Sequence, residues 1–187
     1  MSQGKKEKLK EELRQLLRAK SLITGVERVL TSGRTSNYYI DAKMTTLDPQ
    51  GARLVASLIL DVLRAYEVDA IGGFTLGADP IVAAVAAVSA ETDRPLPAFI
   101  VRKEPKKHGE RKMIEGPFKK GWRVCIVDDV VTTGGSTLKA CEAVEEEGGV
   151  VVLTLAIVDR QEGGRENLEA RGYQFVSLLT RDELLRD

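Results

Sequence analysis

Val124-Cys125-Ile126-Val127-Asp128-Asp129-Val130-Val131-Thr132-Thr133-Gly134-Gly135-Ser136-Thr137 is the stretch on which the reading of this chain turns. An apolar strand runs into two adjacent carboxylates. A small, hydroxylated turn containing glycine follows, and a helix is predicted from Ser136. Each part suits a different portion of one ligand, a ribose carrying a 5'-phosphate. Carboxylates accept hydrogen bonds from vicinal sugar hydroxyls. Backbone N–H groups and hydroxyls at a helix N-terminus receive the phosphate. Glycine lets the backbone approach without a side chain in the way. Two other readings use the same residues: a Mg²⁺ site of an NTPase at the paired acids, and a plain helix cap at Gly-Gly-Ser-Thr. The chain has no Walker A Gly-Lys-Ser/Thr pattern, which weakens the NTPase reading.

Upstream and downstream of this stretch, near-continuous apolar strands alternate with helices. Strands are predicted at Val68–Phe74, Leu96–Val101, Trp122–Val127, Val150–Val158 and Tyr173–Leu179. Helices are predicted at Asp79–Ala90, Ser136–Glu147 and Gly164–Arg171. That pattern gives an α/β fold, a parallel sheet covered on both faces by helices. Ligands of such sheets bind beyond the carboxyl ends of the strands, which is where Asp128 and Asp129 fall. Lys6–Lys20 reads as an amphipathic helix with Leu9, Leu13, Leu16 and Leu17 on one face. Extended pieces near Gly25–Leu30 and Tyr38–Asp41 flank a Ser-Gly-Arg-Thr-Ser-Asn turn. Asp48-Pro49 is a helix start, acid at the cap and proline in the first turn, and that helix is predicted to reach about Tyr66.

At 187 residues the chain reads as one domain able to bury a real core. Formal net charge is zero, so no global field draws it to nucleic acid or to an anionic membrane. Met1 to Lys20 is charged and lacks an apolar signal region. The longest strongly apolar run, Val150–Val158, is too short to span a bilayer. Cys125 and Cys141 lack metal or redox spacing and read as small buried hydrophobes, in keeping with a reducing cytoplasm.

Residues 102–112 contain six cations, two acids and the only histidine of the chain, His108. With Pro105 and Gly109 and no helical or strand periodicity, the stretch reads as a mobile solvated loop. Such a loop can close over an anionic leaving group and stabilise developing charge.

The opening stretch resembles the phosphoribosyl-pyrophosphate (PRPP) binding motif of type I phosphoribosyltransferases: an apolar run, two acids, an apolar pair, then Thr-x-Gly and a small residue. Arg102-Lys103-Glu104, Lys106 and His108-Gly109 look like the catalytic loop of one branch, the orotate phosphoribosyltransferases. Thr31-Ser-Gly-Arg-Thr-Ser-Asn-Tyr-Tyr-Ile-Asp41 resembles that branch's N-terminal signature. Val158-Asp-Arg-Gln-Glu162 resembles its strand end bearing an orotate-pairing arginine. The similarity covers most of residues 25–162. The chain departs from the pattern in two places. Thr31 stands where a lysine is frequent, and Leu76-Gly77 stands where Tyr-Lys is frequent.

The resemblance implies a type I fold over residues 1–187, with a small N-terminal helix and hood to about residue 48, a core beyond it, and a flexible catalytic loop. It implies transfer of the 5-phosphoribosyl group from PRPP to orotate, in pyrimidine (UMP) synthesis, with Mg²⁺ on the pyrophosphate and no direct metal ligand from the protein. The catalytic residues would be Lys103, Lys106, His108, Asp128 and Asp129. PRPP would meet Arg102, Lys103, Lys106, His108, Asp128, Asp129, Val130, Val131, Thr132, Thr133, Gly134, Gly135 and Ser136. Orotate would meet Ser32, Tyr39, Ile40, Thr132 and Arg160. The family works as a homodimer whose loop is shared across subunits. Two other readings remain, a purine phosphoribosyltransferase and a PRPP-sensing regulator that binds nucleic acid.

Overall fold

Leucines three and four apart wind the first segment into helix α1 (Gln3–Lys20), which buries Leu9, Leu13 and Leu17. Leu16, on the edge of the same face, is half-buried. The structure is a computed structural model that describes residues 1–29, 35–104 and 112–186. Strands β1 (Leu22–Val29) and β2 (Thr35–Ile40) pair antiparallel as a two-stranded sheet. Both begin earlier than the expected extended pieces. A four-residue helix, α2 (Lys43–Thr46), follows; it is too short for periodicity to reveal. Helix α3 (Pro49–Leu63) starts where the Asp-Pro pair predicts. The Asp48 carboxylate accepts from Gln50 N at 3.0 Å and Gly51 N at 3.1 Å, a cap worth about 1 kcal/mol.

The larger sheet is built from β3 (Ala70–Phe74), β4 (Ala98–Val101), β5 (Ile114–Glu115), β6 (Arg123–Val131), β7 (Val150–Asp159) and β8 (Phe175–Thr180). Their order is β5-β4-β3-β6-β7-β8. Every pairing is parallel except β4 with β5, so the expected wholly parallel sheet carries one antiparallel edge strand. Two residues are too few for β5 to declare itself in a polar stretch. Helices α4 (Asp79–Ser89), α5 (Gly135–Glu146) and α6 (Gly164–Glu169) connect the strands, and α7 (Arg181–Leu185) closes the described chain.

The chain leaves β3 toward β4 on one side, and it leaves β6 toward β7 on the other. β3 and β6 are neighbours, so their carboxyl ends flank a topological switch point, the place where doubly wound sheets open a crevice. Helix α1 packs into the main core: its leucines share a cluster with Leu54, Ile59, Val127 and Leu155. Lys10 and Glu183 tie it to α7 at 2.8 Å.

Candidate active site

Strand β6 does not stop at Val127. It pairs with β7 through Asp128↔Ala156 to Val131↔Asp159, so both acids lie inside the ladder. Acids are depleted in strands. Here the pairing with β7 carries the backbone through them. Alternation along the strand sends neighbouring side chains to different surroundings. Asp128 is 8% exposed, and its Oδ2 accepts from the Thr137 hydroxyl of α5 at 3.0 Å. Asp129 reaches toward Lys43 of α2, its Oδ2 standing 3.9 Å from Lys43 Nζ.

Burial, and then the charge of Asp129, hold the Asp128 carboxyl well above the usual carboxylate range; the Thr137 hydroxyl opposes the shift. Lys43 is also raised above the usual lysine range, but because its charge is stabilised, chiefly by the hydrogen bond to Asp41, whose Oδ1 lies 2.8 Å from Nζ.

The turn after β6 faces outward. Thr133, Gly135 and Ser136 are exposed and Thr132 half-buried. Gly134 takes a left-handed φ of 80° as the N-cap of α5, a conformation that suits glycine, and no side chain caps the helix there. The first N–H groups of α5 therefore point to the crevice with the positive end of the helix dipole. Val131 turns its side chain into a small core cluster with Ala156, Leu168 and Phe175, so only its backbone serves the site.

Arg160 follows β7 and is buried, only 4% exposed, which is unusual for an arginine. Its backbone N–H donates to Val131 O at 2.9 Å, pinning it beside the turn that follows β6. Its guanidinium lies 4.9 Å from the Tyr38 ring centroid, and Nη2 pairs with Glu162 Oε1 at 2.8 Å. Tyr39 is half-buried; Ile40 is buried in the main core, leaving its backbone for any ligand contact.

Arg102 directly follows β4. Its guanidinium pairs with Glu115 of β5 at 3.1 Å, toward the sheet edge. Lys103 is exposed beside it. Ser32, Lys106 and His108 lie outside the described residues. Among the described residues no group of three or more His, Cys, Asp or Glu could hold a metal. No helix among them is long and apolar enough to cross a membrane. Both cysteines are buried free thiols. A separate cleft of about 940 Å³, lined by Arg53, Asp61 and Arg94 among others, includes none of these site residues.

Four side chains at the crevice have no part assigned by the linear motifs: Thr137, Tyr38 and Glu162, which lie within quoted motifs, and Lys43, which lies outside them. Lys43 and Tyr38 come from the N-terminal segment, and only folding sets them against β6 and β7.

A doubly wound sheet with an acid pair and an uncapped helix N-terminus at its switch point is the architecture of a phosphoribosyltransferase. The Phosphoribosyl transferase domain family matches residues 41–171. An orotate phosphoribosyltransferase of Aquifex aeolicus is 46% identical over 178 residues, covering 94% of this chain and 97% of the relative. One from Rhodopseudomonas palustris (strain BisB18) is 48% identical over 178 residues, covering 93% and 95%. The crystal structure of Mycobacterium tuberculosis orotate phosphoribosyltransferase in complex with PRPP superposes with a TM-score of 0.79 at 36% identity, covering 94% of this chain and 98% of that one. The chain belongs to the orotate phosphoribosyltransferase family.

Proposed function

We propose that this chain transfers the 5-phosphoribosyl group of PRPP to orotate, giving orotidine 5'-monophosphate and pyrophosphate, as a step of pyrimidine nucleotide synthesis. The observation that carries the reading is one short path of backbone. It runs from the buried Asp128 through Asp129 to the uncapped start of α5, with Arg160 hydrogen-bonded to Val131 alongside.

The difficult event is rupture of the bond between C1' and the pyrophosphate oxygen, which leaves positive character on the ribose. Asp128 and Asp129 hold the ribose hydroxyls and place negative potential near that charge. Val130 and Val131 contribute backbone to the same cradle. Thr132, Thr133, Gly134, Gly135 and Ser136 anchor the 5'-phosphate, which restricts and orients the ribose. Mg²⁺ carried by the pyrophosphate would neutralise charge on the leaving group, and the hard carboxylate oxygens of Asp128 and Asp129 would suit such a cation nearby. The ring nitrogen of orotate is readily deprotonated and attacks C1' without a dedicated general base. Arg160 and Thr132 position orotate, with Ser32, Tyr39 and Ile40 bordering the ring. For Arg160 to form a bidentate contact with the orotate carboxylate, Glu162 must yield or share the guanidinium.

Arg102, Lys103, Lys106 and His108 stabilise the departing pyrophosphate from the neighbouring subunit of a homodimer. Arg102 exchanges its Glu115 partner for the ligand when it does so. In mixed dimers of Asp128→Asn and Lys103→Ala chains, each strongly impaired alone, activity should return to roughly one half of wild type if the loop acts across subunits, because one of the two sites is then intact. Verified mixed dimers without activity would exclude the shared site.

The single domain, with its hood over the acceptor, works in the cytoplasm without nucleic acid or membrane. The reading is tested by incubating the protein with PRPP and Mg²⁺ against orotate, adenine, hypoxanthine and uracil. Orotate absorbance should fall and pyrophosphate should appear with orotate alone. Turnover of a purine would move the chain to the purine branch. Tight nucleic-acid binding without pyrophosphate release would make it a regulator.

A further inference from the structure

We propose that Lys43 is a further ligand-binding residue, supplying a cation to the pyrophosphate end of PRPP; this rests on the phosphoribosyl-transfer reading above. The wall of the crevice formed by the end of β6 is acidic, with Asp128 and Asp129 side by side. A ligand with several negative charges must sit against it. Lys43 is the one cation that the described ion pairs bring within 4 Å of that pair, at 3.9 Å from Asp129 Oδ2.

The loop after β3 cannot provide the charge. Residues 72–80 contain no lysine or arginine. At Gly77 an added Cβ would stand 2.5 Å from Asp129 Oδ1, so this loop meets the acid through bare backbone. The free edge left at Asp129 is approached instead from α2. Lys43 is the first residue of that helix, and its side chain is 34% exposed, open enough to meet a ligand. Asp41 holds Nζ at 2.8 Å and aims it, occupying one of three ammonium donors. The carboxylate of Asp129 is beyond hydrogen-bond distance of the same nitrogen, so donors remain for a phosphate oxygen.

The pyrophosphate, rather than the 5'-phosphate, is the portion within reach. The 5'-phosphate belongs at the start of α5, on the far side of the acid pair, where Thr137 donates to Asp128. Lys43 stands on the Asp129 side, next to the loop that leaves β3. Ribose hydroxyls bound to the acids turn C1' and its pyrophosphate toward that side.

The test compares Lys43→Ala, Lys43→Gln and Lys43→Arg with wild type by calorimetric titration of PRPP, inorganic pyrophosphate and ribose 5-phosphate in Mg²⁺ buffer. Loss of one charge-assisted contact should weaken PRPP and pyrophosphate by about 10- to 100-fold. Ribose 5-phosphate should change less than about threefold, and the arginine variant should recover most of the affinity. In steady-state assays the KM for PRPP should rise while that for orotate stays within about twofold. Unchanged PRPP binding in folded Lys43→Gln would overturn the assignment. Equal weakening of ribose 5-phosphate would overturn it too, because Lys43 would then act only by neutralising Asp129. PRPP binding needs no acceptor: wild type that binds PRPP but ignores orotate would refute the orotate reading and leave Lys43 open to the same titrations.

Discussion

Gly73→Ala is expected to destabilise the protein by about 3 kcal/mol and to weaken PRPP binding with it. Gly73 lies in β3 at the switch point, and a Cβ there would stand 2.2 Å from Val127 O and 2.4 Å from the Ala78 Cβ. Neither neighbour can step aside. Val127 is part of the β6 ladder that carries Asp128, and Ala78 is fully buried at the start of α4. The methyl group would drive β3 away from β6 where the crevice opens. Urea denaturation read by fluorescence measures the loss. Gly4→Ala in α1, where a Cβ meets nothing within 4 Å, serves as the control and should be neutral or slightly stabilising. Equal midpoints for Gly73→Ala and wild type would show that the two strands are not as tightly apposed as described.

Asp128→Asn should lower kcat/KM by about 100-fold or more while making the ligand-free protein more stable at pH 8. The two effects share one cause. Burial, joined by the charge of Asp129, pushes the Asp128 carboxyl up to about 7. The folded protein therefore holds a proton that the unfolded chain releases at the ordinary carboxylate value. That contribution to stability is fully present below about pH 4 and is lost as pH rises through about 7. At about 1.4 kcal/mol per unit, less the acceptor that asparagine gives up, the variant should gain about 2 kcal/mol over wild type at pH 8. Its melting temperature should also vary less between pH 5 and pH 8. A wild-type profile that stays flat across that interval would refute the buried-charge account. Full activity in the variant would remove Asp128 from the reaction. Both outcomes expected together would make this carboxylate a site where stability is given up for function.

Much of the architecture was legible because its signals are local. Asp48-Pro49 starts α3 since cap and proline act on adjacent backbone. The apolar runs at β3, β6 and β7 and the intervening helices follow their periodicities, with ends displaced by a few residues. The acid pair and the turn to α5 were legible as structure because they stand in consecutive positions between a strand and a helix. Where tertiary pairing overrides composition, the reading fell short. β6 extends through two aspartates because β7 completes its ladder, and β5 exists because β4 offers an edge. Arg160 is a buried cation because Tyr38 and Glu162 pack against it, partners that the local sequence does not announce.

The sequence by itself determined the alternation of the longer strands and helices, and the succession of two acids and a glycine turn between β6 and α5, because each depends on neighbours along the chain. Only the tertiary structure decided how the two acids differ. Asp128 is buried against Thr137 and Asp129 is turned toward Lys43, eighty-six residues earlier in the chain. Whether a carboxylate keeps its proton or meets a cation depends on what the fold packs around it, and identical neighbours in sequence enter different surroundings when a strand points them apart.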